Sequence, residues 1–150
     1  MTDFAFTPLA NDPHADVISA ALGVDANNKL ADNDIGKPVK LAGNDNYVVC
    51  AKGDEIAGFV TSTEASTVND GFSFGSVQRN KRVQVQVDSA EAGTAVVGTL
   101  VAAGTSAALG TKDVWPQVEI IAAPVKHLWE VISIISGSGL AGDLVLIEKI

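Results

Sequence analysis

Gly71-Phe72-Ser73-Phe74-Gly75 fits the G-x-S-x-G pattern of hydrolase nucleophiles, with Asp113 and His127 downstream in the order a triad would need. That chemistry requires a strand before the serine and a helix directly after it, so that the hydroxyl stands clear and backbone amides face the oxyanion. Here the chain runs on instead into Arg82-Val83-Gln84-Val85-Gln86-Val87, where valine and polar residues alternate with no helical period. A motif without its structural context carries little weight, so no catalytic residue is assigned and no enzymatic activity is expected.

The other chemistry-bearing residues are equally sparse. His14 and His127 are the only histidines, too few to build an imidazole zinc site. Asp32-Asn33-Asp34 and Asn44-Asp45-Asn46 offer hard oxygens, but neither continues into a bidentate glutamate at calcium-loop spacing. They read as solvated turns, as does Asp54-Glu55. The single cysteine, Cys50, excludes an internal disulfide and lies in an apolar run, where a small buried hydrophobe is expected. No phosphate-cradling loop is present. Neither a cofactor nor a metal is expected.

Charge narrows the partners. Eighteen acidic residues against ten basic ones give a formal net charge of −8, which opposes a sequence-independent grip on nucleic acid. Arg79-Asn80-Lys81-Arg82 is the only tight basic cluster, and we read it as charge decorating a strand edge. The start, Met1-Thr2-Asp3-Phe4, has neither a basic nor a long apolar region of a secretory signal, and no apolar run is long enough to span a bilayer. The expectation is a soluble protein made in the cytoplasm, with no nucleic-acid or membrane partner.

The elements that would position any site are strands. Gly36-Lys37-Pro38-Val39-Lys40-Leu41, Tyr47-Val48-Val49-Cys50-Ala51, Glu55-Ile56-Ala57-Gly58-Phe59-Val60-Thr61 and Arg82–Val87 are short, alternating or β-branched, and separated by glycine and small polar residues. Val68-Asn69-Asp70-Gly71 carries a turn signature before Phe72-Ser73-Phe74. Thr94–Ala103 suggests one or two further strands. Val118–Ile121 and Leu128–Ile135, with Trp129 as core, look packed on both faces. Leu144–Ile147 closes the chain. Gly53-Asp54 and Gly142-Asp143 precede strands in the same way, yet no sustained repeat is visible. Before the strands, Asp12, Pro13, the apolar set Val17, Ile18, Ala21 and Leu22, and Gly23 spell one short helix with its cap and stop. Residues 1–12 form an extended N-terminal arm. The chain of 150 residues fits one all-β domain, residues 1–150, as a β-sandwich or small jelly-roll-like β-barrel.

On Gly36–Leu41, on Gly53-Asp54-Glu55-Ile56-Ala57-Gly58-Phe59-Val60, on Asp70-Gly71 with Phe74-Gly75, and on Gly142-Asp143-Leu144-Val145, the chain resembles the head-decoration, or capsid cement, proteins of tailed bacteriophages. The resemblance covers roughly half the chain. It implies a sandwich or β-tulip domain on the outer surface of a virion head, assembled as a trimer or dimer. The implied partner is the major capsid protein, whose neighbouring subunits it would clamp. The candidate helix departs from the typical short form of the arm.

The residues themselves offer interface candidates. Phe4, Phe6 and Leu9 cannot bury themselves in so short an arm, and Pro8 holds it extended. Such an arm could pair with a neighbour's open strand, or fold back on its own body. Trp115, beside Pro116, reads either as an intersubunit anchor or as a core plug. The alternative function is a β-sandwich module binding surface glycans or a receptor. A glycan site would display exposed aromatics, and only 5 % of the residues are aromatic.

Overall fold

The alternation in Arg82–Val87 is realised literally. Val83, Val85 and Val87 are buried while Arg82, Gln84 and Gln86 face outward, which is what a period of two produces on a pleated strand. The computed structural model describes residues 17–22, 34–42, 46–63, 74–80, 82–105 and 115–150. Among these lie ten strands: β1 (Val17–Leu22), β2 (Pro38–Ala42), β3 (Asn46–Val49), β4 (Gly58–Thr63), β5 (Phe74–Gln78), β6 (Arg82–Val87), β7 (Leu100–Ala103), β8 (Gln117–Ile120), β9 (Trp129–Ile134) and β10 (Leu144–Lys149). The fold is all-β and built as small barrels. The arm at residues 1–12 lies outside the described residues.

The strands close into two barrels of five, ordered β1-β3-β2-β4-β5 and β10-β6-β8-β7-β9. Chain order makes the two identical. β1 pairs parallel with β3, as β6 does with β8. The antiparallel ladders β2–β3, β2–β4, β4–β5 and β1–β5 recur as β7–β8, β7–β9, β9–β10 and β6–β10. Register agrees as well as order. Val60 faces Val77 and Ser62 faces Ser76, leaving Thr61 as the extra residue of a bulge. In the second barrel Val131 faces Ile147 and Ser133 faces Leu146, leaving Ile132 extra at the same place. Bulges sharpen the local twist and help a small sheet curl shut.

The entry turn repeats atom for atom. Gly36 and Gly98 adopt φ of 96° and 93°, a region that costs a side-chain-bearing residue steric strain. The Gly36 amide donates to the Val60 carbonyl and the Gly98 amide to the Val131 carbonyl, both at 2.7 Å. Val60 and Val131 donate back to the carbonyls of Lys37 and Thr99. The described strands β1–β5 and β6–β10 are thus a structural duplication, a repeat of topology and entry turn that was not visible in the sequence.

Three further expectations are corrected. The short helix is not formed, because Val17–Leu22 is strand β1, paired with β5 from Val17 to Ala21 and with β3 at Ala21 and Leu22. The basic cluster does not decorate an edge: β6 lies between β8 and β10 in a closed sheet, and Arg82 pairs with Glu148 at 3.1 Å. β8 and β9 are not packed on both faces, since β8 buries only Val118 and β9 alternates buried Trp129 and Val131 with less buried residues.

Apolar packing is unequal between the halves. The first barrel holds a small cluster of Val39, Tyr47, Ala57, Val60 and Val77. The second holds the main core, and that core takes in Cys50, Ile56 and Phe59 from the first. Phe59 meets Trp129 edge-to-face, with ring centroids 5.3 Å apart and planes at 88°. The Trp129 indole N–H donates to the Ile56 carbonyl at 2.9 Å, satisfying both buried polar groups. Fully burying residues of this size stabilises by about 1.5–3 kcal/mol each, so this seam is where the two barrels are held together.

Candidate functional site

The loops that join β3 to β4 (residues 50–57) and β8 to β9 (121–128) occupy counterpart places in the two barrels and face one another across the seam. Gly53, at φ 90°, lets the first loop turn so that its amide donates to the Ala103 carbonyl at 2.8 Å. The Ala103 amide returns a bond to the Asp54 carbonyl at 2.9 Å, so the loop docks on β7 as a fragment of strand. Next in sequence, one carboxylate oxygen of Glu55, Oε1, accepts the amides of Val125, Lys126 and His127 at 2.9, 2.7 and 2.9 Å. Three successive amides pointing at one oxygen form an anion-holding nest. The His127 amide above all, with those of Lys126 and Val125, holds the Glu55 carboxyl below its ordinary range, against the opposing pull of burial.

Beside this latch a half-open cleft of about 410 Å³ separates the barrels. Leu41, Tyr47 and Ala57 line it from the first barrel, Arg79 and Asn80 from the connection, and His127 and Lys149 from the second. Burial, then the Lys149 ammonium, pushes the His127 imidazole below its ordinary pKa; Glu55 opposes this and Lys126 reinforces it.

A second surface feature is apolar. The turn before β7 carries Val96 and Val97, 57 % and 66 % exposed. It is fixed by the Thr99 amide donating to the Val96 carbonyl and by the Thr99 hydroxyl accepting from the Val96 amide, both at 2.9 Å. The adjacent Ala95 amide donates to the Gly139 carbonyl at 2.8 Å, which brings the turn against the loop that carries exposed Leu140. In the first barrel the counterparts of Val96 and Val97 are Asp34, paired with Lys37 at 2.7 Å, and Ile35, which packs on the core. The same backbone therefore shows salt and a tucked side chain in one half and bare aliphatic groups in the other.

Of the residues singled out in the sequence, Phe4, Phe6, Pro8, Leu9, His14, Ser73 and Asp113 lie outside the described residues. Trp115 is half-buried ahead of β8, next to buried Pro116, whose carbonyl accepts the Gln86 amide. Trp129 is fully buried. His127 sits in the loop before β9 and not within a strand. Cys50 is buried, and burial pushes its thiol up to about 12. Asp54 is a turn residue, its carboxylate capping the Ala51 amide at 2.8 Å and meeting Lys40 at 2.6 Å. Asp143 caps the Leu140 amide in the same manner, so the two Gly-Asp turns do share a geometry, although they stand at different places in the two barrels.

The Glu55 nest, the cleft and the Val96-Val97 turn were missed from sequence. Only the pair of adjacent exposed valines before Gly98 left a trace there. Among the described residues no group of three or more His, Cys, Asp or Glu could hold a metal ion, and no helix is long and apolar enough to cross a membrane. No protein-family model, curated protein or solved structure matches the chain.

Proposed function

We propose that the protein is a structural component of a virion, binding the outer surface of an icosahedral phage head and stabilising contacts between major capsid protein subunits. The proposal rests on the resemblance in the glycine-punctuated strand segments, and the exposed Val96-Val97 turn carries it furthest. A contact surface needs apolar groups that stay outward and cost little entropy to order, and these two side chains stand on a turn already tied by hydrogen bonds. Leu140, also exposed, stands on the loop whose Gly139 carbonyl accepts the Ala95 amide. Each contact can be modest, because copies repeated over a symmetric shell multiply it.

The test uses purified expanded heads with and without added protein. Cosedimentation and a raised temperature of head disruption are expected. The double substitution Val96→Asp with Val97→Asp should abolish cosedimentation while leaving the free protein's melting temperature within a few degrees. Deleting residues 1–10 separates the arm from the turn as the holding element. Heads that neither bind the protein nor gain stability would end the proposal.

A further inference from the structure

The two loops that face each other across the seam are equal in length, so their residues correspond one to one: Ile56 to His127 and Ala57 to Leu128. Beyond them Phe59 corresponds to Glu130, and Ala103 to Leu41. On one side of the seam Ile56 and Phe59 are buried in the second barrel's core and the Gly53 amide is bonded to Ala103. On the other side the counterpart of Gly53 is Pro124, which has no amide hydrogen to donate. The counterparts of the two buried apolar residues there are His127 and Glu130, both half-exposed. Where one half closes, the other opens, and Leu41, the counterpart of buried Ala103, is 55 % exposed at its mouth.

The lining of that opening has a consistent chemistry. Arg79 and Lys149 are themselves counterparts, one directly after β5 and one at the end of β10, so the duplication places both cations in the same cleft. His127 stands with them, and Leu41 and Ala57 supply an apolar wall. We propose that this cleft binds a small ligand in which a carboxylate or phosphate group is joined to a short apolar body. A volume of about 410 Å³ lies within the range of small-molecule sites, and a few converging polar groups on an apolar wall are their usual make-up. Arg79 and Lys149 suit an anionic head by charge-assisted hydrogen bonds. His127 feels the Lys149 ammonium, which adds to the larger effect of burial in lowering its pKa, while Glu55 opposes both. Of the neighbouring acidic groups, Glu55 accepts three amides and Glu148 pairs with Arg82, while Glu130 lies opposite Glu148 on β9. Arg79, Asn80 and Lys149 also engage neighbours within the protein, so the ligand adds to an existing network. The assignment does not depend on capsid binding.

The experiment titrates the full chain with hexanoate, with inorganic phosphate and with hexylammonium, following the His127 ring signals by NMR. Hexanoate is expected to shift them saturably, with a Kd on the order of 1 mM, and to raise the pH midpoint of His127. Inorganic phosphate should bind more weakly and hexylammonium not at all. Arg79→Gln with Lys149→Gln should weaken hexanoate about tenfold or more. Because those side chains also serve the fold, Leu41→Glu provides the second variant: it puts a like charge at an exposed position and should abolish binding with an unchanged melting temperature. A non-saturating hexanoate response, or saturation that Leu41→Glu leaves intact, would overturn the site. Equal affinity for inorganic phosphate would overturn the apolar half of the assignment.

Discussion

Replacing Phe59 by alanine tests whether the two barrels stand or fall together. Phe59 is fully buried, belongs to the first barrel by sequence and contributes to the second barrel's core. Truncating a buried phenylalanine costs about 3–5 kcal/mol, of which about 0.5–1.5 kcal/mol is the edge-to-face contact with Trp129. With a urea dependence of about 2 kcal/mol per molar, the unfolding midpoint should fall by roughly 1.5–2.5 M. Far-UV circular dichroism is the readout, since it reports strands of both barrels. The control is built into the repeat: Glu130 occupies the position counterpart to Phe59, is half-exposed and lies directly opposite Glu148. Glu130→Ala should change stability by no more than about 0.5 kcal/mol and relieves a like-charge pair. A double-mutant cycle with Trp129→Leu, which removes the second ring, should return a coupling of about 0.5–1.5 kcal/mol. A Phe59→Ala midpoint no lower than that of Glu130→Ala would refute the seam, and so would two separate transitions in the unmodified protein.

Three other outcomes follow from described contacts. Gly139→Ala, at φ 88° with its added carbon driven into the Ala95 carbonyl, should cost several times more melting temperature than Gly142→Ala, at φ 86° in open space, where only the left-handed strain of about 1–2 kcal/mol applies. Stability should fall with acid. Asp54 is held low first by Lys40, Glu55 by the His127 amide, and Glu91 by the amides of Gly93 and Ile120. For Asp88 burial pulls upward, but the amides of Ala90 and Thr105, the Thr105 hydroxyl and Lys52 outweigh it. Carboxyls with folded pKa values below their unfolded ones contribute stability above about pH 4 that disappears as pH drops through the folded values. His127, lowered from 6.5, adds a shallower loss that begins near that pH on the way down. A melting temperature flat from pH 5 to pH 3 would contradict this. Cys50, with its thiol at about 12, should resist iodoacetamide at pH 8 in the folded protein and react once urea unfolds it.

Strand content was legible because valines at 83, 85 and 87 and the glycines that punctuate the chain act locally. β1 was not. Val17, Ile18, Ala21 and Leu22 fit a helical stripe as well as a strand, and pairing with β5 more than fifty residues later decides between them. The duplication escaped for a different reason. Between counterparts, 65 residues separate Val17 from Arg82, 62 separate Val39 from Val101, 71 separate Val60 from Val131 and 70 separate Val77 from Ile147. No single period survives such drift, which comes from connections of unequal length, such as three residues between β2 and β3 against thirteen between β7 and β8. Only scattered pairs kept their identity, among them Gly36 with Gly98 and Ser62 with Ser133. The cleft was invisible because its cations come from positions 79 and 149, which only barrel closure brings together.

Two units on one polypeptide meet at a high local concentration whatever the concentration of the protein. A free pair of identical barrels would have to keep every contact self-complementary, since each residue would serve on both sides of the axis. The covalent connection through residues 79–81 lifts that demand. One member can specialise as the glue while the other turns polar, and the molecule acquires an asymmetric crevice that no self-matching dimer of either half would contain.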